Sequence, residues 1–144
     1  MKRHLYSAIA IMIVTGVFAI TSQAQTNGSP TIRASIPFAF NVGDKTLPAG
    51  IYTVSILNPT SDRKTLQIRS ENGRRSAIVQ TAGANAALAN NAKLVFHRYG
   101  DRYFFAHAQL AGDTTALAAT KTRAERATQR ALKRAPSNSE IAAF

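Results

Sequence analysis

The chain has 144 residues, 18 Lys plus Arg against 7 Asp plus Glu for a formal charge of +11, and no cysteine. That length predicts one domain with a single core. The cysteine count excludes disulfides, thiolate nucleophiles and cysteine-bound metals, so stability has to come from packing.

Met1 to His4 is basic, and Ala8 to Ile20 is an apolar run of 13 residues. A spanning helix needs about 20 such residues and a secretory signal roughly 7 to 15. With small residues at Ser22 and Ala24, residues 1–24 read as a signal peptide cleaved after Ala24, the alternative being an uncleaved anchor. Losing Lys2 and Arg3 leaves 16 basic and 7 acidic residues, so a charge of +9 belongs to the exported product. Residues 25–31, with Gly28 and Pro30, form a polar flexible leader.

The β-rich domain is expected over 32–113. Ile32, Ala34, Ile36, Phe38, Phe40 and Val42 alternate with mostly polar residues, which predicts a strand with one buried face. Pro37 removes a ladder donor and places that strand at an edge or a bulge. Gly43 to Gly50 is turn-rich, and Tyr52, Val54 and Ile56 predict a second strand antiparallel to the first. Leu66 and Ile68 mark a third strand, Asn72-Gly73 a hairpin turn, and Ser76 to Thr81 a fourth. The small, polar stretch 82–92 reads as a loop with at most one helical turn.

Lys93 to Tyr99 and Arg102 to Leu110 flank Gly100-Asp101, the signature of a tight hairpin with a type II′ turn. Unbroken pairing from that turn opposes Arg98 to Tyr103, Phe96 to Phe105 and Leu94 to His107. It also sends His97 and His107 to opposite faces. A basic helix is expected over 114–135, richest in Ala, Lys, Arg and Gln from Thr120 onward and stopped by Pro136. Its Ala124, Ala127, Ala131 and Ala135 form a stripe that buries little area, so docking is expected to be weak. Residues 136–144 read as a tail. The fold class is mainly β, an antiparallel sandwich or partly closed barrel of about six strands with a C-terminal basic helix.

Two blocks, IPFAFNVGDKTLPAGIYTV at 36–54 and KLVFHRYGDRYF at 93–104, are followed by Thr122-Arg123-Ala124-Glu125-Arg126. In order and spacing they resemble a family of small exported bacterial proteins with no assigned activity or ligand. The resemblance implies export and a small β-rich domain, and implies nothing about catalysis.

Catalytic chemistry finds little footing in the residues themselves. No serine sits in a Gly-x-Ser-x-Gly elbow, no phosphate-binding loop is present, and the seven carboxylates form no evident pair. The chain therefore reads as a non-enzyme without cofactor, with a hydrolase of unknown substrate as an alternative. Histidines on opposite faces cannot chelate one metal, and no metal ligands are expected; a longer hairpin loop would be needed to reunite them.

Two features suit binding. The hairpin gathers Arg98, Tyr99, Arg102 and Tyr103, with Arg98 placed to stack over Tyr103, an arrangement suited to glycans or anionic polymers. The competing reading makes Phe96 and Phe105 core and lets the arginines cover them while pairing with Asp101. In the helix, Lys121, Arg123, Arg126, Arg130, Lys133 and Arg134 face a single acid, Glu125. That charge suits a polyanion contact by counterion release, or simply a solvated face; too few large apolar residues oppose it for a membrane-surface helix. The expected function is an exported, non-catalytic envelope protein of the periplasm or exterior, structural or binding. A module for an anionic envelope polymer or glycan is the alternative.

Overall fold

A computed structural model describes residues 28–144. The expected signal peptide and the first residues of the leader lie outside them. The strands are β1 (Thr31–Ile36), β2 (Phe40–Val42), β3 (Lys45–Leu47), β4 (Gly50–Ile56), β5 (Lys64–Ser70) and β6 (Ser76–Asn85). They continue with β7 (Lys93–Tyr99), β8 (Arg102–Gln109) and β9 (Thr115–Ala119), then the helix α1 (Arg123–Leu132) and β10 (Ser137–Ala142). The protein is mainly β, with one sheet of ten strands that is not closed and a helix near the carboxy terminus.

Alternation does the local work. In β1 every second residue, Ile32, Ala34 and Ile36, is buried, and β4 buries Tyr52, Val54 and Ile56 in the same rhythm. The two pair antiparallel, Ile32 with Val54 and Ala34 with Tyr52. The eleven-residue run from Ile32 is nevertheless two strands. β1 ends the sheet and stops at Ile36, just before Pro37, whose missing N–H cannot continue a ladder.

From β1 the sheet runs through β4, β5, β6, β9 and β8. β7 covers one edge of β8 along its length and carries β10 on its own far side. The other edge of β8 is shared: β9 pairs at His107 to Gln109, and β2 adds in parallel at Phe104 through Asn41. Asn41 Nδ2–H donates to the Tyr103 carbonyl at 3.0 Å and its Oδ1 accepts from the Thr46 hydroxyl at 2.7 Å, which fixes the β2–β3 hairpin there.

The core is aromatic at its centre. Phe40 meets Tyr52 and Phe96 edge to face at 5.2 Å each, and Phe96 meets Phe105 at 5.9 Å. Tyr52 keeps its hydroxyl satisfied by donating to the Pro48 carbonyl at 2.7 Å. The sheet's two ends approach without joining: the Phe144 N–H donates to the Arg33 carbonyl at 3.0 Å, and the Arg33 guanidinium lies over the Phe144 ring.

Four expectations change. Among the described residues ten strands replace about six, because the first expected strand splits into β1 and β2, short β3 forms inside the turn-rich connection, and two further strands form where helix and tail were expected. Residues Thr115–Ala119 are β9, so the helix begins at Arg123 rather than 114 and ends at Leu132. The tail is β10, paired with β7 from Ser137–Arg98 to Ala142–Lys93. The 82–92 stretch begins as the end of β6, which pairs with β9 through Asn85.

Candidate functional site

The β7–β8 hairpin turns where expected. Gly100 has φ +60°, and Asp101 is not among the residues with positive φ, which is the II′ pattern. Pairing is as predicted from Tyr99–Arg102 through Arg98–Tyr103 to Phe96–Phe105. There a bulge intervenes, and Val95, not Leu94, opposes His107. The extra residue on β8 is Ala106, which reverses the side on which His107 emerges. His107 therefore shares a face with Val95, His97 and Tyr99, so the expected separation of the two histidines is corrected.

α1 lies over that face. Thr122 caps it, its side chain accepting from the Glu125 N–H at 3.1 Å. The Glu125 side chain turns inward, where it is 2 % exposed. One oxygen, Oε1, accepts from His97 Nδ1–H at 2.6 Å and from the Tyr99 hydroxyl at 3.1 Å. One turn later the buried Thr128 hydroxyl accepts from Arg102 Nη1–H at 2.9 Å and donates to the Ala124 carbonyl at 3.0 Å. The helix thus docks through a polar latch and not through its alanines, since Ala124, Ala127, Ala131 and Ala135 are all exposed. Every buried side-chain N and O among the described residues has a partner.

Burial, followed by the adjacent Glu125 carboxylate and its hydrogen bond, pushes the Tyr99 phenol up to about 12. Tyr99 is thus a proton donor throughout ordinary pH. His107 is lowered by burial first and then by the positive charges of Lys93 and His97, with Glu140 opposing. Among the described residues no group of three or more metal-ligating side chains comes together.

The aromatic residues of the hairpin are occupied. Tyr99 is 3 % exposed and packs edge to face on Phe104. Tyr103 is stacked on Phe38 at 3.8 Å, with Arg98 over it at 5.6 Å, and Arg102 lies over Phe104 at 5.5 Å. The stacking of Arg98 on Tyr103 is as expected, and Phe96 and Phe105 are core. The expected pairing with Asp101 is absent among the described residues: Arg98 Nε–H donates instead to the Gly100 carbonyl at 2.9 Å.

The helical arginines stand apart from this latch. Arg123, Arg126 and Arg130 are exposed along α1, and Arg134 is exposed just beyond the left-handed cap at Lys133. Arg98, Tyr99 and Arg134 are brought together in an open cleft of about 490 Å³ between the hairpin tip and the end of α1. From sequence, His97 is weighed as a metal ligand and Glu125 as the helix's lone acid; nothing there brings the two together or singles out Thr128. The available signal was Thr122-x-x-Glu125, a capping pattern at the start of the helix.

No helix among the described residues is long and apolar enough to cross a membrane. In comparisons with known proteins, the chain matches no family model, no curated protein and no solved structure.

Proposed function

We propose that this chain is an exported, non-catalytic β-domain of the cell envelope that binds an anionic polymer with the cationic face formed by α1 and the β7–β8 hairpin. The observation carrying this reading is the inward turn of Glu125. Burying the one acid of the helix leaves its outward face to Arg123, Arg126 and Arg130, with Lys133 and Arg134 at its end. Such a face attracts polyanions by releasing their condensed counterions.

A hydrolase would need a nucleophile beside the His97–Glu125 couple. The hydroxyl found there belongs to Tyr99, which spends its proton on the same carboxylate. Retention of the purified protein on an anionic polysaccharide matrix, measured against increasing salt, tests the proposal. Elution at moderate salt is expected, moved to markedly lower salt by Arg123→Ala, Arg126→Ala and Arg130→Ala combined. Elution unchanged by that triple substitution would overturn it.

A further inference from the structure

The cleft between the hairpin tip and the end of α1 is more selective than a charged surface. Lys133 adopts φ +49°, the left-handed cap that ends a helix, and its N–H donates to the Arg130 carbonyl. The turn sends the chain back as β10, whose first residue, Ser137, pairs with Arg98. Segments far apart in sequence thereby line one cleft with Arg98, Tyr99, Gly100, Leu132, Arg134 and Ser137.

Its chemistry is one-sided. Among the described residues two arginines, Ser137 and Tyr99 line it and no acidic residue does; the Tyr99 hydroxyl is already given to Glu125. Arg98 is held in place twice, by its Nε–H bond to the Gly100 carbonyl and by the Tyr103 ring beneath it. Its terminal amino groups have no hydrogen-bond partner among the described residues, and neither does the Arg134 side chain. A guanidinium already held loses little freedom on meeting an oxyanion. The end of α1 contributes roughly half a negative charge, which the two full positive charges of Arg98 and Arg134 outweigh. Leu132, 45 % exposed, adds an apolar wall.

We propose that this cleft is a binding subsite for one acidic sugar unit of an anionic polysaccharide, a proposal that rests on the polymer-binding reading above. Arg98 and Arg134 hold the sugar's carboxylate, Ser137 bonds a ring hydroxyl, and Leu132 meets the C–H face of the ring. A volume of about 490 Å³ accommodates such a unit. Nucleic acid fits less well, because base recognition needs exposed rings to stack on, and Tyr99 and Tyr103 are both covered. A lipid surface fits less well because the outward face of α1 offers alanine between its cations.

The test is calorimetric titration of the intact exported chain with a galacturonic acid tetramer, its methyl-esterified neutral form, and inorganic polyphosphate of matched charge. The acidic tetramer is expected to bind at least about tenfold more tightly than either comparison probe, a difference near 1.4 kcal/mol. Arg134→Ala, at an exposed position outside the latch, and Arg98→Ala should each weaken it about tenfold with the circular dichroism unchanged. The Arg123, Arg126 and Arg130 alanine triple should weaken it less than threefold. Tetramer binding unchanged in Arg134→Ala, or matched by the neutral tetramer or by polyphosphate, overturns the subsite. Matrix retention that the triple still moves to lower salt alongside such a result would confine the failure to the cleft, whereas retention indifferent to the triple overturns the polymer-binding reading too.

Discussion

Replacing Glu125 by alanine removes the single oxygen that His97 and Tyr99 both use, and at the buried Tyr99 hydroxyl water cannot easily substitute. Glu125→Ala is expected to cost about 2 to 3 kcal/mol, measured by denaturant unfolding, because two donors lose their acceptor and one of them, Tyr99, is buried. A change under about 1 kcal/mol would place the helix on the hairpin by some other means. Tyr99 gives the latch a spectroscopic reporter. Its folded value near 12 lies above the ordinary tyrosine value of about 10, so the unfolded chain releases the proton first. The contribution of Tyr99 to stability is therefore whole below about pH 10 and is lost as pH climbs from there through about 12. Burial raises Tyr52 as well, so ultraviolet titration of the folded protein should show late phenolates from both Tyr52 and Tyr99, and Tyr99→Phe should remove one of them. At this scale the sequence offered Arg98 and Tyr103 correctly as a stacked pair, because they are two residues from a recognisable turn. It hid Glu125, because its partner His97 lies 28 residues away and six cations surround it in the chain.

The elements show where local pattern suffices and where it does not. β1, β4 and β5 were legible because their alternation is strict and one face of each is buried. β9, TALAA, and β10, SNSEIA, carry little β-branched or aromatic content; their strand form depends on partners, β6 and β8 for one and β7 for the other. The bulge opposite Phe96 was equally unreadable, since Ala106 looks like any other strand residue, yet it moves His107 to the face under α1. The end of α1 carries a local cost that can be measured. Lys133 holds a positive φ that glycine adopts freely, so Lys133→Gly should stabilise the protein by about 0.5 to 1 kcal/mol in thermal or denaturant unfolding. Destabilisation instead would mean that the Lys133 charge at the helix end matters more than its backbone strain.

Among the described residues a single core joins strands β1 to β8, which accounts for a packed body without disulfides. The mainly β class and the carboxy-terminal helix were readable from periodicity and composition. The strand order was not, because the β2–β8 pairing joins Asn41 to Phe104 and the β6–β9 pairing joins Thr81 to Ala119, residues that carry no local mark of each other. Over this body the charge is uneven by construction: the helix's acid is spent inside, and its cations remain outside. Affinity for an anionic polysaccharide, measured as a function of salt for the intact chain and the Arg123, Arg126 and Arg130 alanine triple, tests that arrangement most directly. Binding should weaken linearly in log–log form, and the triple should flatten the slope by about two to three. Equal slopes, or affinity indifferent to salt, would contradict the account.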